Sequence, residues 1–287
     1  MERIEVPIGE FVFDARAAGP PDGELVLLLH GFPQSSYEWR HQLDALAAAG
    51  YRAVAPDQRG YSSRARPEGV EHYGVDHLIA DVLAIADAMG GQTFHLVGHD
   101  WGAIVGWILA GRHPERVRSW APVSVPHPLA MAEALGMNDD QRERSSYILL
   151  FREPEVPEQL LLDDGARGLR TLFENSGLGG DADEYVRLMS EPGAMTAALN
   201  WYRAADFASF GAIGPITMPT LFVWSTADPA LGPDGAHATA KYVEGPYRFE
   251  VLDGVGHWIP ETAADDYNRL LLDHLESSRS TTGAVPD

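Results

Sequence analysis

Cysteine is absent from the 287 residues, which excludes disulfides, thiolate metal sites and cysteine nucleophiles. Positive charge is scarce. Lys241 is the one lysine, and 21 basic residues face 42 acidic ones for a net charge of −21. Such a surface repels phosphate backbones and anionic lipid, so nucleic acid and membranes are not expected as partners. No apolar run approaches the roughly 18 residues that a membrane span needs. Met1 to Pro7 shows no apolar stretch of signal-peptide length, and the sequence reads as that of a cytoplasmic protein. Internal repeats and low-complexity tracts are lacking. Histidines such as His41, His72, His77, His113, His237 and His274 show no metal-ligand spacing of the H-E-x-x-H kind, so neither a metal nor a cofactor is expected.

What the chain does contain is an α/β rhythm. Short β-rich runs (Glu24 to Leu29, Tyr51 to Ala55, Thr93 to Val97) alternate with helical patterns from Tyr37 to Ala49 and from Val75 to Met89, the signature of a parallel sheet covered by helices. After the strand-like Trp120 to Val125 the rhythm becomes helical for roughly 90 residues. It resumes at Thr220 to Trp224 and Arg248 to Leu252, and Thr262 to Leu275 reads as a closing amphipathic helix. The pattern predicts a core of residues 1–126 and 216–278, a helical cap of residues 127–215 over the carboxyl end of the sheet, and a flexible tail of residues 279–287.

The segment Val97-Gly98-His99-Asp100-Trp101-Gly102-Ala103 carries the most chemical information. It reads as G-x-nucleophile-x-G, a sharp strand-to-helix turn that lifts one side chain above a parallel sheet. Gly98 and Gly102 fall where strand and helix approach too closely for side chains. The attacking residue would be Asp100, not serine, which changes the reaction class. In this fold an acid and then a histidine should follow the nucleophile. Asp228 follows the strand ending at Trp224, and His257 lies in the glycine-rich loop Gly254 to Trp258. His30-Gly31-Phe32-Pro33 follows the strand Leu25 to Leu29, where one oxyanion donor belongs, the Phe32 N–H; the Trp101 N–H would be the other. Asp57-Gln58-Arg59-Gly60-Tyr61 reads as a structural ion pair and turn, and His99 as a residue locked within the elbow.

In this order, with a helical segment between, these motifs resemble the α/β-hydrolase superfamily, and within it the epoxide hydrolases most closely. The resemblance runs from about Ile4 to Leu275. It implies an α/β-hydrolase fold with a mostly parallel sheet and a cap inserted after the strand ending near Val125. The segments Tyr147 to Pro154 and Leu199 to Arg203 resemble those that carry the two cap tyrosines of epoxide hydrolases, which makes Tyr147 and Tyr202 candidate acids. The Phe32–Pro33 peptide would be cis. Ser225 and the stretch Glu261-Thr262-Ala263 depart from the usual pattern without touching a catalytic atom.

The chemistry implied is attack by Asp100 on an epoxide carbon, since an aspartate of pKa about 3.9 is ionised at neutral pH and needs no base to attack. The leaving alkoxide requires an acid, a role for tyrosine. His257, oriented by Asp228, would activate water against the resulting ester, giving a vicinal diol. The expected partners are therefore a small apolar epoxide and water; a homodimer is compatible with the sequence. Haloalkane dehalogenases are the nearest alternative, with Trp101 as one halide donor and the segment Ser35 to Arg40 similar to theirs. Phe32, however, cannot supply the side-chain donor often found at that position. A ligand receptor on a retired hydrolase scaffold is the alternative from another class, and the intact Asp100, Asp228 and His257 speak against it.

Overall fold

The structure is a computed structural model that describes residues 1–282 except 176, 179, 181 and 207–212. Eight strands form one sheet in the order β1-β2-β4-β3-β5-β6-β7-β8. They are β1 (Glu2–Ile8), β2 (Phe11–Ala18), β3 (Leu25–Leu29), β4 (Arg52–Pro56), β5 (Phe94–His99), β6 (Val117–Val123), β7 (Thr220–Ser225) and β8 (Tyr247–Leu252). From β4 to β8 all neighbours are parallel. β1 and β2 pair antiparallel, and β2 pairs antiparallel with β4.

Both faces of the sheet are covered, so its central strands are apolar throughout rather than alternating. Successive residues of β3 point to opposite sides: Leu25, Leu27 and Leu29 enter one core, Val26 and Leu28 the other. Helices α1 (Arg40–Ala48) and α10 (Ala264–Thr282) contribute Leu43, Leu46, Leu270 and Leu271 to the second core. Helices α2 (Val75–Ala88) and α3 (Trp101–Arg112) pack on the first through Leu78, Val82, Ile85 and Val105. Each fully buried leucine of β3 contributes roughly 1.5–3 kcal/mol of transfer free energy, which makes this strand a rigid floor beneath the loop that follows it.

The N-terminal hairpin β1–β2 is absent from the sequence-based expectation. Its outer strand is mostly exposed and carries Pro7, as suits an edge strand that lacks a partner on one side. The hydrophobic alternation Ile4, Val6, Ile8 is there, but polar flanks mask it. The closing helix also differs, running past Leu275 to Thr282. The expected tail 279–287 therefore begins inside α10, and residues 283–287 lie outside the described residues.

Between β6 and β7 the described elements are helical: α4 (Pro128–Met137), α5 (Asp139–Arg144), α6 (Tyr147–Phe151), α7 (Val156–Asn175), α8 (Ala182–Met189) and α9 (Ala194–Ala204). Helix α7 is broken at Asp163 to Ala166, where Asp164, Gly165 and Ala166 take positive φ. These helices are tied down to the sheet loops. The Trp201 indole donates to the Arg59 carbonyl at 3.0 Å, Arg144 donates to the Asp228 carbonyl at 2.8 Å, and Gln141 bridges Ala230 and Gly232. Among the described residues no helix is long and apolar enough to cross a membrane.

Candidate active site

Asp100 stands between the central strand β5 and helix α3 with φ 51° and ψ −121°, a conformation that costs of order 1–3 kcal/mol in a non-glycine residue. The turn persists because nothing bulkier fits around it. A Cβ at Gly98 would lie 2.5 Å from the Gly102 carbonyl oxygen, and one at Gly102 would lie 2.0 Å from that of Leu29. Gly31 is fixed by the same crowding, since a Cβ there would lie 2.2 Å from Asp100 Oδ1. The strained backbone thus projects the carboxylate directly against the loop after β3.

That loop supplies donors. Phe32 N–H donates to Asp100 Oδ1 at 2.7 Å, and the Trp101 N–H also bonds the carboxylate. The Phe32–Pro33 peptide is cis. His30 holds the loop from behind, its Nε2 accepting from Gln58 N–H at 3.1 Å and its carbonyl accepting from Gln58 Nε2 at 2.6 Å. Arg59 pairs bidentately with Asp81, at 2.6 and 2.7 Å. Asp57, by contrast, accepts from Ser36 N–H at 2.7 Å. The segment Asp57 to Tyr61 thus has a structural ion pair and turn, with the pair made to α2 and not within the loop.

On the other side His257 points its Nε2 at Asp100 Oδ2, 3.6 Å away, and donates Nδ1–H to Asp228 Oδ2 at 2.8 Å. Asp228 is fully buried, and its second oxygen accepts from the N–H groups of Ala230 and Leu231 at 2.8 and 3.0 Å. Burial alone would lower the basicity of His257. The two carboxylates outweigh it and raise the imidazolium to about 10. Burial likewise works against the charge on Asp100, but His257 and the Trp101 N–H hold its carboxyl below the usual range. The resting site is therefore an aspartate–imidazolium–aspartate array.

Above it stand two tyrosines from the helices between β6 and β7, Tyr147 at the start of α6 and Tyr202 in α9. Tyr202 packs edge-on against Trp101 and Phe32, with ring centroids 5.1 and 5.4 Å away. The Trp101 indole donates to its hydroxyl, and the two tyrosines are hydrogen-bonded to each other. Burial first, and the Asp100 charge second, push both phenols above their ordinary value. They are uncharged acids at neutral pH.

Two cavities meet at Asp100, Tyr147, Tyr202 and Ala230. One, of about 320 Å³, is bounded by Phe32, Phe151, Leu172 and Trp258. The other, of about 530 Å³, is bounded by Ile104, Val125, Met131, Leu135 and Ile148. A third, about 380 Å³ and lined by Arg3, Arg16, Asp57, Glu184, Arg187 and Glu191, does not reach Asp100. Among the described residues no cluster of acids and histidines is placed to hold a metal ion.

Residues 24–264 match the family described as alpha/beta hydrolase fold. The chain is 34% identical over 300 residues to epoxide hydrolase A of Mycobacterium tuberculosis, covering 90% of this chain and 92% of the relative. The chain belongs to the epoxide hydrolase family. It is also 35% identical over 271 residues to an AB hydrolase superfamily protein of Bacillus subtilis, covering 91% and 93%. The crystal structure of epoxide hydrolase A from Mycobacterium thermoresistibile superposes with a TM-score of 0.82 at 32% identity, covering 96% of this chain and 98% of that one.

In this member of the epoxide hydrolase family the structure gathers all the sequence-derived residues, namely Asp100, Asp228, His257, Tyr147, Tyr202, Phe32 and Trp101, with His30, Gly31, Pro33, Gly98 and Gly102 around them. Sequence reasoning missed a layer behind the histidine. Glu38 lies 2.8 Å from His99. Glu261, held by Arg40, Tyr185 and Gln34, is pushed up by burial to about 7. The apolar frame around Glu38, Tyr37-Glu38-Trp39, was a detectable signal, because an acid within a buried turn must find a partner.

Proposed function

We propose that the chain hydrolyses an epoxide to a vicinal diol through a covalent ester on Asp100, with residues 127–215 acting as a cap on a core of residues 1–126 and 216–278. One observation carries the reading: two uncharged phenols face an ionised aspartate across the junction of two apolar cavities. A halide leaves without a proton, whereas an epoxide oxygen leaves as a basic alkoxide and needs an acid. The Trp101 indole N–H, the donor a halide would use, is already directed at the Tyr202 hydroxyl.

The proton balance closes over a cycle that begins with Asp100 ionised and His257 charged. Asp100 Oδ2 attacks one ring carbon, the C–O bond breaks, and a tyrosine O–H passes its proton to the departing oxygen. The products of this step are an ester, an alcohol and a tyrosinate. Esterification removes the negative charge that helped to raise His257, so the imidazolium returns a proton to the tyrosinate and becomes a neutral base. His257 then takes a proton from water as the water oxygen attacks the ester carbonyl. Oδ1, already seated against the Phe32 N–H, bears the developing charge, with the Trp101 N–H also on the carboxyl. Collapse releases the diol and restores the aspartate and the imidazolium. The substrate class that suits the two cavities is a small apolar epoxide.

The test is chemical. A Tyr147→Phe/Tyr202→Phe double variant should lose ring opening of styrene oxide by about 10²–10⁴-fold; diol formation at the wild-type rate would remove the tyrosines from the mechanism.

A further inference from the structure

Behind His257, away from the cavities, lies a buried pair that the cycle above does not use. Glu38, in the helical turn Ser36–Trp39, and His99, the residue before the nucleophile, are both 0% exposed. Glu38 Oε1 is 2.8 Å from His99 Nδ1. The other ring nitrogen, Nε2, is 2.9 Å from the backbone carbonyl oxygen of His257, and the two imidazole rings are 4.6 Å apart.

The hydrogen positions follow from the partners. A carbonyl oxygen only accepts, so Nε2 of His99 carries a hydrogen. A second proton on Nδ1 would place an imidazolium beside that of His257 in a dry interior. Burial, together with the His257 charge, lowers His99 to about 3. Nδ1 therefore presents a lone pair. A carboxylate oxygen 2.8 Å from a lone pair would be a contact between two acceptors, and a proton on the carboxyl relieves it. Burial first, and the Asp100 charge second, raise Glu38 well above its ordinary value, outweighing His257, the Gly31 N–H and Arg40. Asp100 opposes a second negative charge, as does Glu261, while Arg40 is engaged by Glu261; Tyr61, Tyr185 and Tyr267 are uncharged. His257 is already neutralised by two carboxylates.

We propose that Glu38 and His99 are positioning residues for His257, forming a relay in which the Glu38 carboxyl donates to His99 Nδ1 and His99 donates to the His257 carbonyl. The proposal rests on the reading of His257 as the base that hydrolyses the ester. Asp228 aims the ring of that base, but its backbone lies in a loop without regular structure. Three donors hold the carbonyl there, His99 Nε2–H, the Ser124 hydroxyl at 3.1 Å and the Ile259 N–H at 2.9 Å, and of these only His99 comes from the elbow. Since His99 belongs to the elbow, the relay fixes the base to the same backbone that carries the nucleophile. It also keeps the ring nearest His257 uncharged as His257 gains and loses its proton.

Two substitutions separate donation from charge. In Glu38→Gln the amide N–H can donate to Nδ1 as the acid does, so kcat should stay within about threefold of wild type with an unchanged pH profile. Glu38→Leu fills the space and donates nothing. It should slow ester hydrolysis about tenfold while ring opening continues, so that kcat and KM fall together and the ester accumulates during turnover. An infrared difference spectrum of wild type minus Glu38→Gln should show a protonated-carboxyl C=O band, a readout independent of how well Glu38→Leu folds. Absence of that band, a Glu38→Gln enzyme as slow as Glu38→Leu, or a Glu38→Leu enzyme with unchanged kcat would overturn the relay. If His257→Gln itself fails to accumulate an ester, the reading of the base fails instead.

Discussion

The two sides that meet at Asp100 are built by different means. On the sheet side the two carboxylates are fixed by backbone: Asp100 by a strained turn and the N–H groups of Phe32 and Trp101, Asp228 by the N–H groups of Ala230 and Leu231. On the cap side the tyrosines are held by side chains. Tyr202 is wedged among Phe32, Trp101 and Phe151, and the helices beneath are clamped by the partly exposed Arg203–Glu158 pair and by Arg66 with Glu191. Backbone dipoles cannot relax, and so they suit the place where charge develops. Aromatic packing can be reshaped without unmaking the elbow, and so it suits the place where substrates differ.

If the sheet side carries the covalent chemistry, the largest effect should come from Asp100→Ala. Turnover of styrene oxide should fall by about 10⁴-fold or more while the Tm changes little, because a strained, buried charge is removed and not a packing group. Residual activity near wild type would dissolve the distinction. On the cap side, Tyr202→Phe alone should slow ring opening by roughly tenfold, less than the double variant, since Tyr147 still donates. Equal losses in the single and double variants would mean that one hydroxyl does all the work. Arg203→Ala should break a bidentate pair whose side chains are 10% and 16% exposed. It should cost about 3 kcal/mol, seen as earlier proteolysis of the cap helices and a raised KM, with the rate of ester hydrolysis preserved.

The smallest effect is one of pH. His257 and Glu261 hold their protons more tightly folded than unfolded, at about 10 and about 7 against ordinary values near 6.5 and 4.5. Below about pH 7 the buried neutral histidines His30, His95, His99, His127 and His274 take up protons on unfolding and oppose this; above it unfolding releases protons, and stability declines as pH rises through the His257 range. The Tm from calorimetry should fall steadily between about pH 7 and 10. His257→Gln should flatten the upper part of that slope; a slope unchanged in the variant would show that His257 is not charged in the resting enzyme.

The same contrast explains what could be read from the sequence. The elbow, the His30 to Pro33 loop, Asp228 and His257 are contiguous motifs at strand ends, where geometry demands particular residue types at fixed offsets. Gly31, Gly98 and Gly102 are legible because any Cβ there collides with backbone or with the Asp100 side chain. Helical periodicity placed the helices between β6 and β7 but could not place their side chains; Tyr147 and Tyr202 came from resemblance alone. The edge hairpin β1–β2 escaped because an exposed strand has little hydrophobic signal. Glu38 and His99 escaped for a different reason. They lie far apart in sequence, and only folding brings them within 2.8 Å.

The central claim is that Asp100 opens an epoxide and that His257 is needed only afterwards. Incubating His257→Gln with styrene oxide, and separately with 1-bromobutane, and weighing the intact protein and its Asp100 peptide tests this most directly. The account predicts a stable adduct on Asp100 from the epoxide and none from the bromide. An adduct from the bromide alone, or none from either, would contradict it.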